Sequence, residues 1–441
     1  MKKLKGFLRG LLMALVVVAG IVFWLALPWF GLLAFAVLFG AWVALTRPGR
    51  QAGSVTQVGL STLRQRIGAS SVVVIGIAGV VAVLVAMLAM AEGYRETLRR
   101  SGSDDTAIVM RGASAAEVMS TLDHASITVI QQAPGIARDA EGRPLASPEI
   151  IVAANLPLKD GAPGEDGSVQ LRGVGLQAWG VHPNVEIVEG RRFEPGRREL
   201  IAGVGAQRQF DGLAPGKQVR LGNQLWTVAG VFRSGDSYES ELWGDAEVVA
   251  STYARGSTRS SVIARLTSAA AFREFKAALA GDPRLDVDAD TTASYFSKQS
   301  EQMTTIIRII GMVVGAIMGI GAVFGALNTM FATVSSRVRE IATLRAIGFR
   351  GLPVVVAVML ETMLLALLGG VLGGLLAWII FNGYTASTIA GGVGQLTFQF
   401  QVSAPVLWTG LKWALAIGFI GGLFPAVRAA RLPVTDALRA A

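Results

Sequence analysis

The chain alternates long apolar runs with one extended mixed segment. Six stretches approach the roughly 20 apolar residues that a helix needs to cross a bilayer: 10–27, 29–45, 70–91, 304–334, 352–381 and 404–427. The first two are short and meet at Leu27, Pro28 and Trp29. Pro28 has no N–H to continue a helical ladder, so residues 1–46 are expected to form a tight transmembrane hairpin. Lys2, Lys3, Lys5 and Arg9 before an apolar run would also suit a signal peptide, but a second apolar run follows where a cleavage site would stand.

Residues 92–303 lose this pattern and take on that of a mixed α/β domain. β-Branched content predicts strands at Thr106–Arg111, 147–153, 168–173, 199–202, Gln218–Leu221, 225–232 and 261–266. Helices are expected at 115–121 and 269–280. Gly222 and Asn223 predict a hairpin turn, and the Gly-, Asp- and Pro-rich 158–167 an exposed loop. Polar helical flanks at 92–100 and 295–303 extend the neighbouring spans outward as a stalk.

Two further segments are amphipathic. In the connector 47–69, Val55, Val58, Leu60, Leu63 and Ile67 stand among polar residues and suit the membrane interface. In 335–351, Val338, Ile341, Leu344 and Ile347 recur every third residue beside Arg337, Glu340 and Thr343, which predicts a short surface helix between two spans. Gly348 suits its C-terminal cap. The expected fold is thus an α-helical polytopic membrane protein of about six spans, with a mixed α/β extracytoplasmic domain inserted between the third and fourth. The core spans are 70–91, 304–334, 352–381 and 404–427; 382–403 is a short outer loop and 428–441 a tail.

Composition agrees: of 441 residues, 52% are hydrophobic and only 16% charged, where soluble chains carry roughly a quarter, and the mean hydropathy is +0.51. Charge sets the orientation. Between Glu92 and Glu301 there are 23 Lys and Arg against 28 Asp and Glu; the rest of the chain holds 17 basic residues and three acids, Glu340, Glu361 and Asp436. Most of the 17 fall at 2–9, 47–66, 337–350 and 428–439, so the positive-inside bias puts both termini and the 335–351 helix in the cytoplasm. The basic pI is therefore a topology signal, not one for nucleic acid.

Catalytic chemistry is sparse. There is no cysteine, and the two histidines, His124 and His182, stand far apart. The Gly-Lys in 212–218 lacks the spacing and the Ser/Thr of a phosphate-binding loop. Asp286, Asp288 and Asp290 alternate as a solvated strand face, without the glycine and distal glutamate of a calcium loop. The polar 237–241 turn is a weak candidate for a cation or partner. Within the spans, ionisable groups are limited to Glu361, Lys412 and Arg308; Glu361 is expected to pair with Arg345 or Arg350. Gly315, Gly319, Gly321 and Gly325 have the four-residue spacing of close helix packing and suit a dimer seam or intrachain packing, as do Gly369/Gly373 and Gly418/Gly422.

The stretches SRVREIATLRAIGFR at 336–350, LLGGVLGGLL at 367–376 and GGLFPAVRAARLPVTDALRA at 421–440 resemble the MacB/FtsX-type permeases, also called the type VII ABC transporter superfamily. VEGRRFEPGRRELIAGVGAQRQF at 188–210 and LWTVAGVFRSGDSYESELW at 225–243 resemble the outer domain of that family. The likeness covers nearly everything after about residue 54; the hairpin at 1–46 departs from the four-span pattern. The resemblance implies a permease that is not itself an enzyme and needs no cofactor of its own. It implies two copies of a cytoplasmic ABC ATPase that bind ATP and Mg, a second permease subunit in a homo- or heterodimer, and an outer-side partner such as a periplasmic adaptor. Coupling to the ATPase would fall on Arg337, Arg339, Glu340, Leu344, Arg345, Ile347, Gly348 and Arg350. The location implied is the bacterial cytoplasmic membrane. Export by mechanotransmission is the leading expectation, with activation of a cell-wall hydrolase and lipoprotein release as open alternatives.

Overall fold

The computed structural model describes residues 19–20, 23–61, 67–159, 161–162, 164–349, 351–390 and 394–431. Most of the expected first hairpin arm, Arg350 and the tail beyond Arg431 lie outside the described residues. The described chain divides into two compact units. One takes in the described parts of Met1–Met90, Ile307–Asn382 and Gln401–Ala441; the other comprises Ala91–Ile306 and Gly383–Phe400.

The first unit is helical: α1 (Trp29–Leu45), α2 (Arg47–Ser61), α3 (Ile67–Ser101), α4 (Thr292–Ser336), α5 (Val338–Ala346), α6 (Gly351–Phe381) and α7 (Ala404–Arg431), with α3 and α4 also contributing residues to the second unit. Among the described residues, α3, α4, α6 and α7 are long and apolar enough to cross a membrane. The 17-residue α1 instead meets α2 at a 96° bend. The bend has a local cause: Thr46 is extended, and its hydroxyl accepts the Gly49 N–H at 3.0 Å, capping α2 as a new helix.

In lipid the apolar tails compete equally for apolar side chains, so helices associate through close packing of small residues. Helix α6 shows this on two faces. Gly369 and Gly373 lie against Ile77 and Ala78 of α3, while Gly370 and Gly374 lie against Ala414 and Leu407 of α7. In return, α7 sets Gly418 and Gly422 against Ala366 and Thr362 of α6, and Gly421 against Ala326 of α4. Lys412 of α7 donates to the Leu25 carbonyl, and the Trp24 indole N–H donates to the Lys412 carbonyl at 3.1 Å. An intramembrane ammonium is thereby spent on a carbonyl just before Pro28, where the proline interrupts the ladder.

The second unit is built on one sheet in the order β10-β1-β9-β2-β3-β8-β5-β7-β4, with β6 paired to β7. Its strands are β1 (Thr106–Arg111), β2 (Ala146–Pro157), β3 (Asp166–Val174), β4 (Glu186–Gly190), β5 (Glu199–Gly203), β6 (Gln218–Leu221), β7 (Gln224–Arg233), β8 (Glu241–Asp245), β9 (Ser261–Arg265) and β10 (Val287–Thr291). Alternation gives this sheet two apolar cores. Ala107, Val109, Val262 and Ala264 pack with Phe275 and Leu279 of the helix Phe272–Ala280. Val152, Leu171, Leu200, Trp226 and Leu242 form the other core, with Phe210 and Val249. Strand β2 bridges the two: Ala146–Glu149 pair with β9, and Ile150–Pro157 pair with β3.

Gly222 and Asn223 both take positive φ, +53° and +60°, as the expected hairpin turn between β6 and β7 requires. Asp245 caps the helix Ala246–Thr252 by accepting the Glu247 and Val248 N–H groups, both at 3.0 Å. Asp245→Ala is expected to cost about 1 kcal/mol, readable as a small fall in the unfolding midpoint of the full chain.

Three sequence expectations are corrected. The helix expected at 115–121 is a single 3-10 turn, Glu117–Met119, because extended Ala116 precedes it and the Tyr295 hydroxyl accepts the Glu117 N–H at 3.3 Å. The polar 237–241 turn is buried rather than displayed: Ser237, Tyr238, Ser240 and Glu241 all face inward. The outer loop 382–403 contains a hairpin, β11 (Thr385–Ala390) and β12 (Gly394–Gln399), that belongs to the second unit. Leu396 and Phe398 are buried there, Phe398 against Tyr94, and the Thr397 N–H donates to the Ser240 hydroxyl at 2.9 Å.

Candidate functional site

Two constellations of charged side chains stand out. The first is at α5. Helix α4 ends at Ser336, and Arg337 at the break turns inward. Its guanidinium bonds Glu361 of α6 through Nη1 and Glu340 through Nε, both at 3.0 Å. Glu361 is buried, so the intramembrane charge is met by a charge-assisted hydrogen bond. The expected pairing was with Arg345 or Arg350. Arg337 is a partner that local spacing does not reveal, carried back onto α6 by the turn after α4; of the two expected partners, Arg350 lies outside the described residues.

Ile341 anchors α5 in a cluster with Val334, Val354, Val358, Ala426 and Ala429, and Ala342 beside it is buried. The expected apolar face of every third residue does not hold. Steps of three advance 300° around a helix, so Ile347 ends about 120° away from Ile341. Accordingly Leu344 is half-buried and Ile347 is 69% exposed. Arg339, Glu340, Thr343 and Ile347 form the exposed side, and Gly348 ends the helix at φ +105°. Arg345 is half-buried. A cavity of about 320 Å³ adjoins this helix, lined by Ile341, Leu344, Val358, Arg337 and Glu361, with Val55 contributed by α2. Helix α2 therefore packs beside α5.

The glycines expected as a seam divide. Gly315 lies against Leu84 of α3 and Gly319 near Ile417 of α7, whereas a Cβ on Gly321 or Gly325 would meet no atom within 4 Å.

The second constellation, in the outer unit, was not legible in the sequence. Arg172 of β3 is buried with a side chain only 1% exposed, and three carboxylates surround it. Its Nε and Nη2 bond both oxygens of Glu241 at 2.7 and 2.9 Å. Its Nη1 reaches Glu149 at 2.7 Å, and the fork meets both Glu117 oxygens at 3.2 Å. His182 Nε2 bonds Glu149 at 2.9 Å, the Ser261 hydroxyl donates to Glu117, and the Trp243 indole donates to Glu241 at 3.0 Å. The guanidinium also lies 5.0 Å from the Tyr238 ring centre. These residues occupy the sheet face opposite the β2–β3–β8 core, because Glu149, Arg172 and Glu241 alternate with Ile150, Leu171 and Leu242. Such alternation predicts a solvated face. Residues from α3, α4 and β12, including Leu98, Tyr295, Phe296 and Leu396, surround the same place.

The electrostatics follow from burial. Desolvation raises the Glu149 carboxyl, but His182 and Arg172 outweigh it and hold it at about 2. Burial pushes Glu241 up, opposed by Arg172. Burial lowers the Arg172 guanidinium, but Glu117 and Glu241 hold it well above its usual range. Nearby Asp236 is also pushed up by burial. Among the described residues, no group of three or more His, Asp or Glu could hold a metal ion.

Comparison with known proteins places the chain in a family. Residues 70–281 match the model of the MacB-like periplasmic core domain, and 312–434 that of the FtsX-like permease C-terminal region. The macrolide export ATP-binding/permease protein MacB of Shewanella sp. (strain ANA-3) is 28% identical over 34% of this chain and 22% of its own length. The protein of the same name from Rhodopirellula baltica is 29% identical over 31% of this chain and 20% of its own. The match thus spans about a fifth of the length of these relatives. The solved periplasmic region of MacB from Actinobacillus actinomycetemcomitans is 16% identical with a TM-score of 0.33, covering 47% of this chain and 96% of that one. With its apolar spans and its extracytoplasmic MacB-like domain, the chain belongs to the MacB/FtsX-type permeases.

Proposed function

We propose that this chain is the membrane subunit of an ABC exporter, that it works as a dimer, and that it converts ATP binding and hydrolysis on separate cytoplasmic ATPase subunits into movement of its outer domain. ATP and Mg bind on those partners. Both termini and α5 lie in the cytoplasm of the bacterial inner membrane, and an adaptor or other partner meets the outer domain. The observation that carries this reading is the build of α5. One side is held in the protein by Ile341, Ala342 and the Arg337–Glu361 bond, while Arg339, Glu340, Thr343 and Ile347 present a mixed charged and apolar surface. A force applied there acts directly on α4 and α6, which flank it in the chain. Mechanotransmission of this kind asks for no polar pathway between the spans. Gly321 and Gly325, where an added Cβ would meet no atom within 4 Å among the described residues, are the proposed dimer seam.

The test is charge reversal on the exposed side. Arg339→Glu with Glu340→Arg is expected to lower co-purification of the ATPase at least tenfold, or to remove the response of ATP hydrolysis to the permease, with the melting temperature unchanged. Unaltered association together with unaltered transport would sink the coupling role.

A further inference from the structure

The outer cluster does not balance in charge. Glu117, Glu149 and Glu241 supply three carboxylates, Arg172 one guanidinium and His182 one imidazole, all nine-tenths or more buried. The sum is negative even with His182 protonated. A buried charge without a full counter-charge tends to neutralise by binding a proton. Across the cavity beside His182 stand two guanidiniums, Arg100 and Arg265, which bond Glu96 and the Gly180 carbonyl; the titratable groups in direct contact with the cluster carry no positive charge. They are Tyr238 and Asp236 of the 3-10 segment before β8, and Tyr295 of α4.

Cavities flank the cluster on two sides. His182, Asp236 and Tyr238 line a cavity of about 220 Å³, together with Arg100, Asp105 and Arg265. On the other side, Glu117, Arg172 and Glu241 border a smaller cavity of about 50 Å³, room for a water or two. The Gln395 side-chain oxygen at that cavity has no hydrogen-bond partner among the described residues.

The cluster also lies where the ends of two long helices meet the sheet. Tyr295 accepts the Glu117 N–H, Phe296 meets the Tyr238 ring edge to face at 6.1 Å, and the Ser101 and Ser237 hydroxyls are 2.6 Å apart. We propose that the Glu117–Glu149–Arg172–His182–Glu241 cluster is a proton-binding latch, whose protonation tightens the hold of the α3 and α4 ends on the outer sheet. It goes beyond the coupling role of α5 and stands independently of it.

The signs are definite. Glu241, raised by burial, contributes stability that is fully present below its ordinary value and is lost as pH rises through its folded value. Asp236, raised for the same reason, acts in the same direction. Glu149, held at about 2 against an ordinary 4.5, contributes stability present above 4.5 and lost as pH falls toward 2. The cluster's own contribution to stability is therefore lost along two limbs, one toward acid through Glu149 and one toward alkali through Glu241 and Asp236.

The experiment uses the full chain in lipid nanodiscs. Thermal unfolding is followed from pH 4 to 9, with hydrogen exchange over 98–101 and 292–296 corrected for its intrinsic pH dependence. Wild type is expected to lose stability and protection along the alkaline limb, identically in sodium and choline buffers. Glu241→Gln is expected to remove most of that limb, and Glu117→Gln, which relieves repulsion on Glu241, to shrink it and move it to lower pH. A wild-type profile without the limb, or one unchanged in both variants, overturns the latch. So does an alkaline loss reversed by sodium at constant pH, which would assign the cluster to a cation instead. If Glu241→Gln fails to fold, Glu117→Gln decides.

Discussion

Arg172→Met is expected to destabilise the outer domain by about 3–5 kcal/mol, the penalty for removing one side of a buried ion pair, and to leave little folded protein. Methionine fills much of the space of the arginine stem but takes away the donors that meet Glu117, Glu149 and Glu241. Those carboxylates would then be desolvated without a cation. Since single domains have only about 5–15 kcal/mol of net stability, the loss is a large part of the whole. Unfolding of the full chain in detergent, followed by tryptophan fluorescence, reads it directly, since the Trp243 indole bonds Glu241. Arg172→Lys should recover only part of the loss, because an ammonium cannot form the paired bonds to Glu241. Adding Glu117→Gln, Glu149→Gln and Glu241→Gln to Arg172→Met should restore much of the stability, since the cost lies in unpaired charge rather than in shape. A single Arg172→Met with wild-type melting would mean that the cluster does not bear on folding.

The second large effect lies among the membrane glycines, where residues that look alike in the sequence are expected to behave oppositely. A side chain at Gly373 would run into the Ala78 carbonyl and the Val81 side chain of α3; one at Gly418 would run into Ala366 of α6. Overpacking of this kind typically costs about 1–3 kcal/mol, and here rigid backbone blocks relaxation at Gly373. Gly373→Leu and Gly418→Leu are therefore expected to lower both the melting temperature and the monodisperse yield of the solubilised chain. Gly321→Leu and Gly325→Leu meet empty space and should leave the melting temperature alone. Their expected effect is a loss of the proposed dimer, read by crosslinking in membranes. A dimer indifferent to both substitutions would move the seam elsewhere; a Gly373→Leu chain as stable as wild type would contradict the packing itself.

These two cases show how legibility depends on range. The four core spans were readable because lipid demands an uninterrupted apolar run, a constraint on neighbouring residues. The β6–β7 hairpin was readable because Gly222 and Asn223 suit the left-handed backbone of a two-residue turn. The α5 helix was readable as an element, but its face was not: a period of three drifts away from a 3.6-residue helix, and Ile347 came out on the exposed side. The hairpin at β11 and β12 was read as a loop because its strands gain their burial from Tyr94 and Ser240, about 150 or more residues upstream.

By itself the sequence determined the helical membrane class, the inserted mixed α/β domain and the position of the surface helix between two spans. Each follows from local hydrophobic periodicity, which acts over one helix or one strand. Only the tertiary structure decided which charges meet. Arg337 reaches Glu361 through a turn, and Arg172 collects Glu117, Glu149 and Glu241 from three separate elements. Alternation along a strand says which residues share a face, but not whether that face is met by water or by another part of the chain. For β3 the other part arrives from distant segments, and that contact turns an apparent solvent face into a buried, proton-hungry one.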